Sequence, residues 1–399
     1  IHFTPQKVLN AVLTDLNLKK IYSLFVRENV ASILPNLKDS EISGVADVKM
    51  RLKMDNSVSQ IVSIVKLRGV DVKIPKLSLD AGGIDVDLPI SLGKDIEDNS
   101  STQGHLDIRD LTLAFLKTSD IRATLTSQAN RISSQKPVFI KLLNGEVRLD
   151  DISIDFSTGL PPKTRFSLDI SNLDISDMRQ ALGLQNARGL INGKIEVTSV
   201  EKNRFMTQGN LNMDIFGGLV KVKDPYGDFA FKNIGADVEM HNIDLEKLTE
   251  TLRFGKITGI VNGTIKDLLI QYGQAARFKL DIYSVKREGV KQTVSTDAVQ
   301  NISILGTGSE GISRLLSTGL NQFFKEFPYS AIGIHCSLDN DVFMIRGNIR
   351  EGGKEYLIRK AFLRGIDVIN QNPENTISFK EMQRRLSAIF DNMRARSND

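Results

Sequence analysis

The chain has 399 residues, enough for two or three compact domains, with an apolar share of 41% and an ordinary charged share of 25%, which excludes a disordered or fibrous chain. Its 52 basic and 48 acidic residues are well mixed around a net charge of +4, so no basic block argues for nucleic acid. A single cysteine, Cys336, leaves no intramolecular disulfide and no structural zinc site, and no apolar run reaches the roughly 18 residues a membrane span needs.

Residues 1–35 read as an N-terminal helical segment. Thr4-Pro5 has the form of an N-cap with proline at the first helical position, and the pattern runs to about Leu34 with a break near Asn17. Ile21, Leu24, Phe25 and Ile33 fall near one face, and Pro35 ends the run. The first residue is Ile1 and no signal peptide is visible, so any targeting or anchoring segment is expected upstream.

Residues 36–308 read as repeating strand units. In Val45–Asp55, Val48, Met50, Leu52 and Met54 alternate with charged residues, which places one greasy and one charged face on a strand. Val70, Val72 and Ile74 continue the pattern, and the phase shifts by one after Pro75. Leu106 and Ile108 are followed by Leu111 and Leu113 with another slip at Asp110. Phe166, Leu168 and Ile170 repeat the alternation, as do Phe229 and Phe231 within an expected strand Phe229–Lys232, and Phe278, Leu280 and Ile282. A strand is also expected around Ile302 and Ile304.

An internal repeat lies within this stretch. Asn172-Leu-Asp174 leads to Gly189-Leu-Ile-Asn-Gly193, and Asn242-Ile-Asp244 leads to Gly259-Ile-Val-Asn-Gly263 in the same register. Each copy reads as an Asp-capped short helix, a turn, and a strand entered through Gly-x-x-Asn-Gly. A weaker third copy is Gly44-Val-Ala-Asp47. Units of this kind stack along an axis. Residues 309–327 then read as the most buried helix, 328–372 as terminal strands, and 373–399 as a helix opened by the capping box Ser378-x-x-Glu381. Its apolar stripe is Met382, Leu386, Ile389, Phe390 and Met393.

About twenty strands need something to cover their greasy faces. A sandwich or a solid β-solenoid is the ordinary solution. Short repeated units, unbroken alternation and few helices favour the alternative, an elongated, curled antiparallel β-sheet groove left open for an apolar ligand. At ~4.8 Å per strand it would extend roughly 100 Å. A lipid suits it, because an acyl chain of ~16 carbons costs about 13 kcal/mol to expose to water. The seventeen alternating residues named above from Val48 to Ile282, leaving aside Leu111 and Leu113, are then the candidate groove contacts.

Catalytic chemistry is not found. His2, His105, His241 and His335 have no metal-ligand spacing, and His335 and Cys336 are strand neighbours that point to opposite faces. Gly306-Thr-Gly308-Ser309 lacks the Lys-Ser/Thr ending of a phosphate loop and reads as a turn before a helix. No cofactor and no metal is expected, and the chain is expected not to be an enzyme.

Three stretches, Ile257–Leu268, Phe327–Ile332 and Gly365–Phe379, together with the Gly-x-x-Asn-Gly repeats, resemble the bacterial AsmA-like envelope proteins, in particular the YdbH-like branch related to TamB and YhdP. The resemblance covers mainly residues 170 to 390. It implies a repeating β-groove in the periplasm of a diderm bacterium that conducts phospholipids between inner and outer membranes. It also implies an inner-membrane anchor, absent from this chain, and a small outer-membrane lipoprotein partner that adds strands near the C-terminal end.

Overall fold

The computed structural model describes residues 7–26, 37, 39–55, 57–93, 101–178, 187–200, 204–307, 325–361, 365–370, 376–381 and 383–385. Among them the chain is mainly β, a curled antiparallel sheet with a few short helices and no barrel closure. No described helix is long and apolar enough to cross a membrane. Two compact units divide the chain. Unit 1 holds Ile1–Leu173, Asn192–Gly209 and Gly227–Phe231; unit 2 holds Asp174–Ile191, Asn210–Tyr226 and Lys232–Asp399.

Unit 1 is a meander. β1 (Lys7–Asn17), β2 (Glu41–Asp55), β3 (Ser57–Ile74), β4 (Leu79–Gly93), β5 (Thr102–Leu113) and β6 (Leu116–Gln128) each pair with the next. β7 (Arg131–Ser134) and β8 (Val138–Leu142) share one position beside β9 (Gly145–Asp155), and β10 (Lys163–Asp174) follows. Pro137 falls in the gap between β7 and β8, where no ladder N–H is needed.

The N-terminal expectation is corrected here. Residues 7–17 form a strand, and the helical residues are α1 (Leu18–Ile21), capped by the Asn17 side chain, with a wider turn to Val26. β1 carries apolar residues on both faces, Val8 and Val12 on one and Leu9 and Leu13 on the other, so its spacing mimics a helical period until pairing with β2 decides. Residues 27–36 lie outside the described residues.

β11 (Gly189–Val200), β12 (Arg204–Ile215) and β13 (Gly218–Asp228) contribute residues to both units. Unit 2 is wound differently: β14 (Asn233–Asp244) pairs with β16 (Ile260–Gln271) and β16 with β17 (Gln274–Val285). β17 pairs with β19 (Glu326–Asp339), β19 with β20 (Val342–Gly347), and β20 with β24 (Thr376–Ser378). The connections that skip a neighbour carry α2 (Leu245–Thr251), β15 (Ile257–Thr258), β18 (Thr293–Ser295) and α3 (Thr296–Thr307). β15 and β18 join the first half of β19 in a second sheet. β21 (Ile349–Glu351), β22 (Lys354–Lys360) and β23 (Val368–Ile369) form a third beside it.

These folded-back segments close a core. Val294, Ala298, Val299, Phe327, Leu338 and Ile358 are fully buried together, each large side chain stabilising the unit by about 1.5–3 kcal/mol. Gly259 belongs to this packing. Its φ is +132°, and a Cβ there would sit 2.2 Å from Tyr329 Oη, the hydroxyl that donates to the Thr258 carbonyl at 2.7 Å.

Other expectations shift in unit 2. Ile302 and Ile304 lie in α3 rather than a strand, and Gly306 falls inside that helix. The helix expected over 309–327 lies outside the described residues up to 324, and Glu326 and Phe327 already belong to β19. At the C-terminal end residues 379–381 and 383–385 are helical, and Ser378 Oγ accepts the Glu381 N–H at 3.1 Å, as the capping box requires. Met382 and the rest of the expected stripe lie outside the described residues.

The repeat reappears as a hydrogen-bonding device. Asn172 and Asn242 adopt left-handed φ values of 56° and 54°, and their N–H groups donate to the side-chain oxygens of Asn192 and Asn262 at 2.8 and 2.7 Å. Asp15, in the strand opposite the third copy, has φ 53° and donates to Asp47 at 2.8 Å. Gly69 to Asp85, Gly83 to Asp71 and Asp267 to Asp237 repeat the arrangement. Asp15, Gly69, Gly83, Asn242 and Asp267 sit at register shifts. Each is a β-bulge whose displaced N–H is caught by a carboxylate or amide on the neighbouring strand. Gly-x-x-Asn-Gly is therefore not a turn. It opens a strand and supplies the residue that clips its neighbour's bulge. Bulges bend and twist a strand locally, so these clips help set the curl.

Candidate functional site

Residues directly opposite in an antiparallel pair share a face, so the register traces the faces of unit 1. Leu9, Leu52, Ile61 and Leu92 form one row across four strands; Ala11, Met50, Ser63 and Ile90 the next; Leu13, Val48, Val65 and Leu88 a third. Leu67, Val86, Leu106 and Ala123 continue the face, then Val70, Ile84, Ile108 and Ile121, then Val72, Ala81 and Leu111. The bulges at Gly69 and Gly83 each insert one residue without turning the apolar set over, and β5 follows β4 past Arg109–Asp110 in unbroken register. On the far side Val138, Ile140, Val147, Leu149, Leu168 and Ile170 belong to the same face. No charged residue interrupts these rows. Nine strand positions at ~4.8 Å make the face about 40 Å wide.

Among the described residues the face is sheltered but not covered. Val48, Met50, Leu52, Met54, Val72, Ile74, Leu106, Ile108, Phe166, Leu168 and Ile170 are half-buried, and only Val70 among the expected residues of these strands is fully buried. The main contacts between described elements of unit 1 run between sheet neighbours, with α1 packed at one end and β4 reaching past β5 to β6. Neither buried core cluster of the described residues lies in unit 1.

The remaining expected residues fall elsewhere. Phe229 and Phe231 are not on a strand. They lie in the turn after β13, where Phe231 has φ 53° and its N–H donates to the Asp228 carbonyl. Their rings gather around Phe205, with centroids 5.4 and 6.3 Å away. Phe278, Leu280 and Ile282 do share one face of β17, and they are half-buried against the closed core of unit 2.

Catalytic groupings do not assemble around the nucleophile. His335 Nδ1 lies 2.8 Å from Asp281 Oδ1, to which Asn348 also donates at 3.1 Å. Burial opposes ionisation of Asp281, but these hydrogen bonds win and hold its carboxyl below the usual range. Cys336 points the other way into the core, and burial pushes its thiol up to about 12, leaving it protonated at neutral pH. No cluster of three potential metal ligands occurs among the described residues.

Sequence reading missed the bulge clips. Their signal is present as phase slips flanked by Asp or Asn, at Asp15 as at Asn172. No family model, no curated protein and no solved structure matches this chain.

Proposed function

We propose that the apolar face of unit 1 binds phospholipid acyl chains and that the chain serves phospholipid transport between the inner and outer membranes of a diderm bacterium. The observation that carries this reading is the set of uncharged rows running from β1 to β10 with half-exposed side chains and no covering element among the described residues. An uncovered apolar surface of this width is a cost in water unless a ligand occupies it. Fluid acyl chains fit it better than one rigid ligand, because the rows offer continuous contact and no convergent polar group.

The resemblance to AsmA-like proteins supplies the setting: a periplasmic location, an upstream inner-membrane anchor, and an outer-membrane lipoprotein adding a strand near the C-terminal end. Strand addition suits an open sheet. The proposal assigns the chain no catalytic step. The rival is a structural β-solenoid with a packed core, favoured by the closed core of unit 2.

Purification from a lipid-containing host, followed by solvent extraction and mass spectrometry, tests the reading. Stoichiometric phospholipid is expected. A chain that stays folded and carries none would sink it.

A further inference from the structure

The opposite face of β1–β3 is not simply the wet side of the sheet. Register places Val12, Lys49 and Ile64 in one row, Asn10, Arg51 and Val62 in the next, and Val8, Lys53 and Gln60 in the third. Val8 is 52% exposed, Val12 64%, Val62 42% and Ile64 42%. Aliphatic tips and cationic heads thus alternate across one patch, which holds a shallow cleft of about 590 Å³.

Charge is segregated along these strands. At the far end the cations are matched, Arg68 with Asp15 and Asp47, and Lys66 with Asp87 at 2.6 Å. Beside the exposed aliphatics, neither Lys49 nor Arg51 has a carboxylate within ion-pair distance among the described residues. Arg51 Nε donates instead to the Asn10 amide oxygen at 3.2 Å, which holds the guanidinium over the patch.

We infer that this patch docks on an anionic bilayer surface, with Lys49 and Arg51 at the phosphates and Val8, Val12, Val62 and Ile64 in the headgroup boundary. Cations near an anionic leaflet and aliphatic side chains at its interface both favour binding. A nucleic acid or an acidic protein would reward the cations but leave the four aliphatics in water, so a lipid surface fits the patch better. The inference does not rest on acyl-chain binding, which uses the other face of the same strands.

Co-sedimentation of the full chain with vesicles tests it. The chain should bind vesicles of phosphatidylcholine with phosphatidylglycerol, bind pure phosphatidylcholine weakly, and release at high salt. Lys49→Glu with Arg51→Glu should weaken binding by about tenfold or more, Lys49→Gln with Arg51→Gln by less, and Val62→Ser with Ile64→Ser should weaken it at unchanged charge. All four positions are exposed strand sites, and a thermal melt checks that each variant folds. Phospholipid extracted from the purified variants should be unchanged, which separates this patch from the opposite face. Equal binding to both vesicle types, or binding indifferent to the Lys49 and Arg51 variants, overturns the inference. Binding indifferent to Val62→Ser and Ile64→Ser, with equal retention of duplex DNA, overturns it in favour of a generic polyanion site.

Discussion

Units 1 and 2 start from the same alternating strands and treat the apolar face in opposite ways. In unit 1 the strands from β1 to β6 each pair with the next, through turns as tight as Pro75–Ser78 between β3 and β4, and among the described residues no strand or core helix folds back over the face. In unit 2 the sheet skips from β14 to β16 and from β17 to β19, and the skipped segments return as α2, β15, β18 and α3 over the core. Alternation makes a greasy face; connectivity decides whether the protein covers it itself.

The largest contrast is between charges placed in the two units. Val299→Asp puts a carboxylate at a fully buried site and should cost at least about 4 kcal/mol, enough to abolish a cooperative transition for unit 2. Leu52→Asp, on the half-buried face of unit 1, should cost about 1 kcal/mol and release bound phospholipid. Denaturant melts read both, and equal losses at the two sites would erase the distinction between a closed core and an open face.

The bulge clips should contribute next. Asn262→Ala leaves the Asn242 N–H without its partner and should cost about 1–2 kcal/mol, with Asn192→Ala behaving alike in the other copy. Amide exchange should quicken at Asn242 and Asn172 respectively. Unchanged exchange at both would show that the side chains follow the bulges rather than hold them.

The smallest effect is a pH dependence in unit 1. Hydrogen bonds from Ser157 and then Arg131 lower the Asp155 carboxyl from 3.8 to about 2. A lowered folded-state value means the contribution is present above the unfolded value and is lost as pH falls toward 2. Asp155→Asn should therefore lower the melting temperature slightly at neutral pH, flatten its fall between those values, and converge with the unsubstituted chain as pH approaches 2.

Much of this was legible beforehand. Val48 to Met54 and Leu106 to Ile108 announced their face by alternation, whereas the slip at Asp110 inserts no residue, since β5 keeps unbroken register with β4 and β6. The helix expected before Leu34 failed at residues 7–17 because β1 is apolar on both faces, and only its partner β2 distinguishes the two periods. Phe229 and Phe231 alternate like strand residues, but the left-handed φ of Phe231 belongs to a turn that no spacing rule reports. The cover over Phe278 to Ile282 comes from residues 294–302 and 327 onward, and long-range return of that kind is not written in local periodicity.

Photocrosslinking tests the contrast most directly. A photoreactive residue placed at Met50 should yield phospholipid adducts in the purified chain, and the same probe at Leu280 should yield adducts to unit 2 itself. Lipid adducts at Leu280 with none at Met50, or protein adducts alone at both positions, would contradict an open apolar face on unit 1.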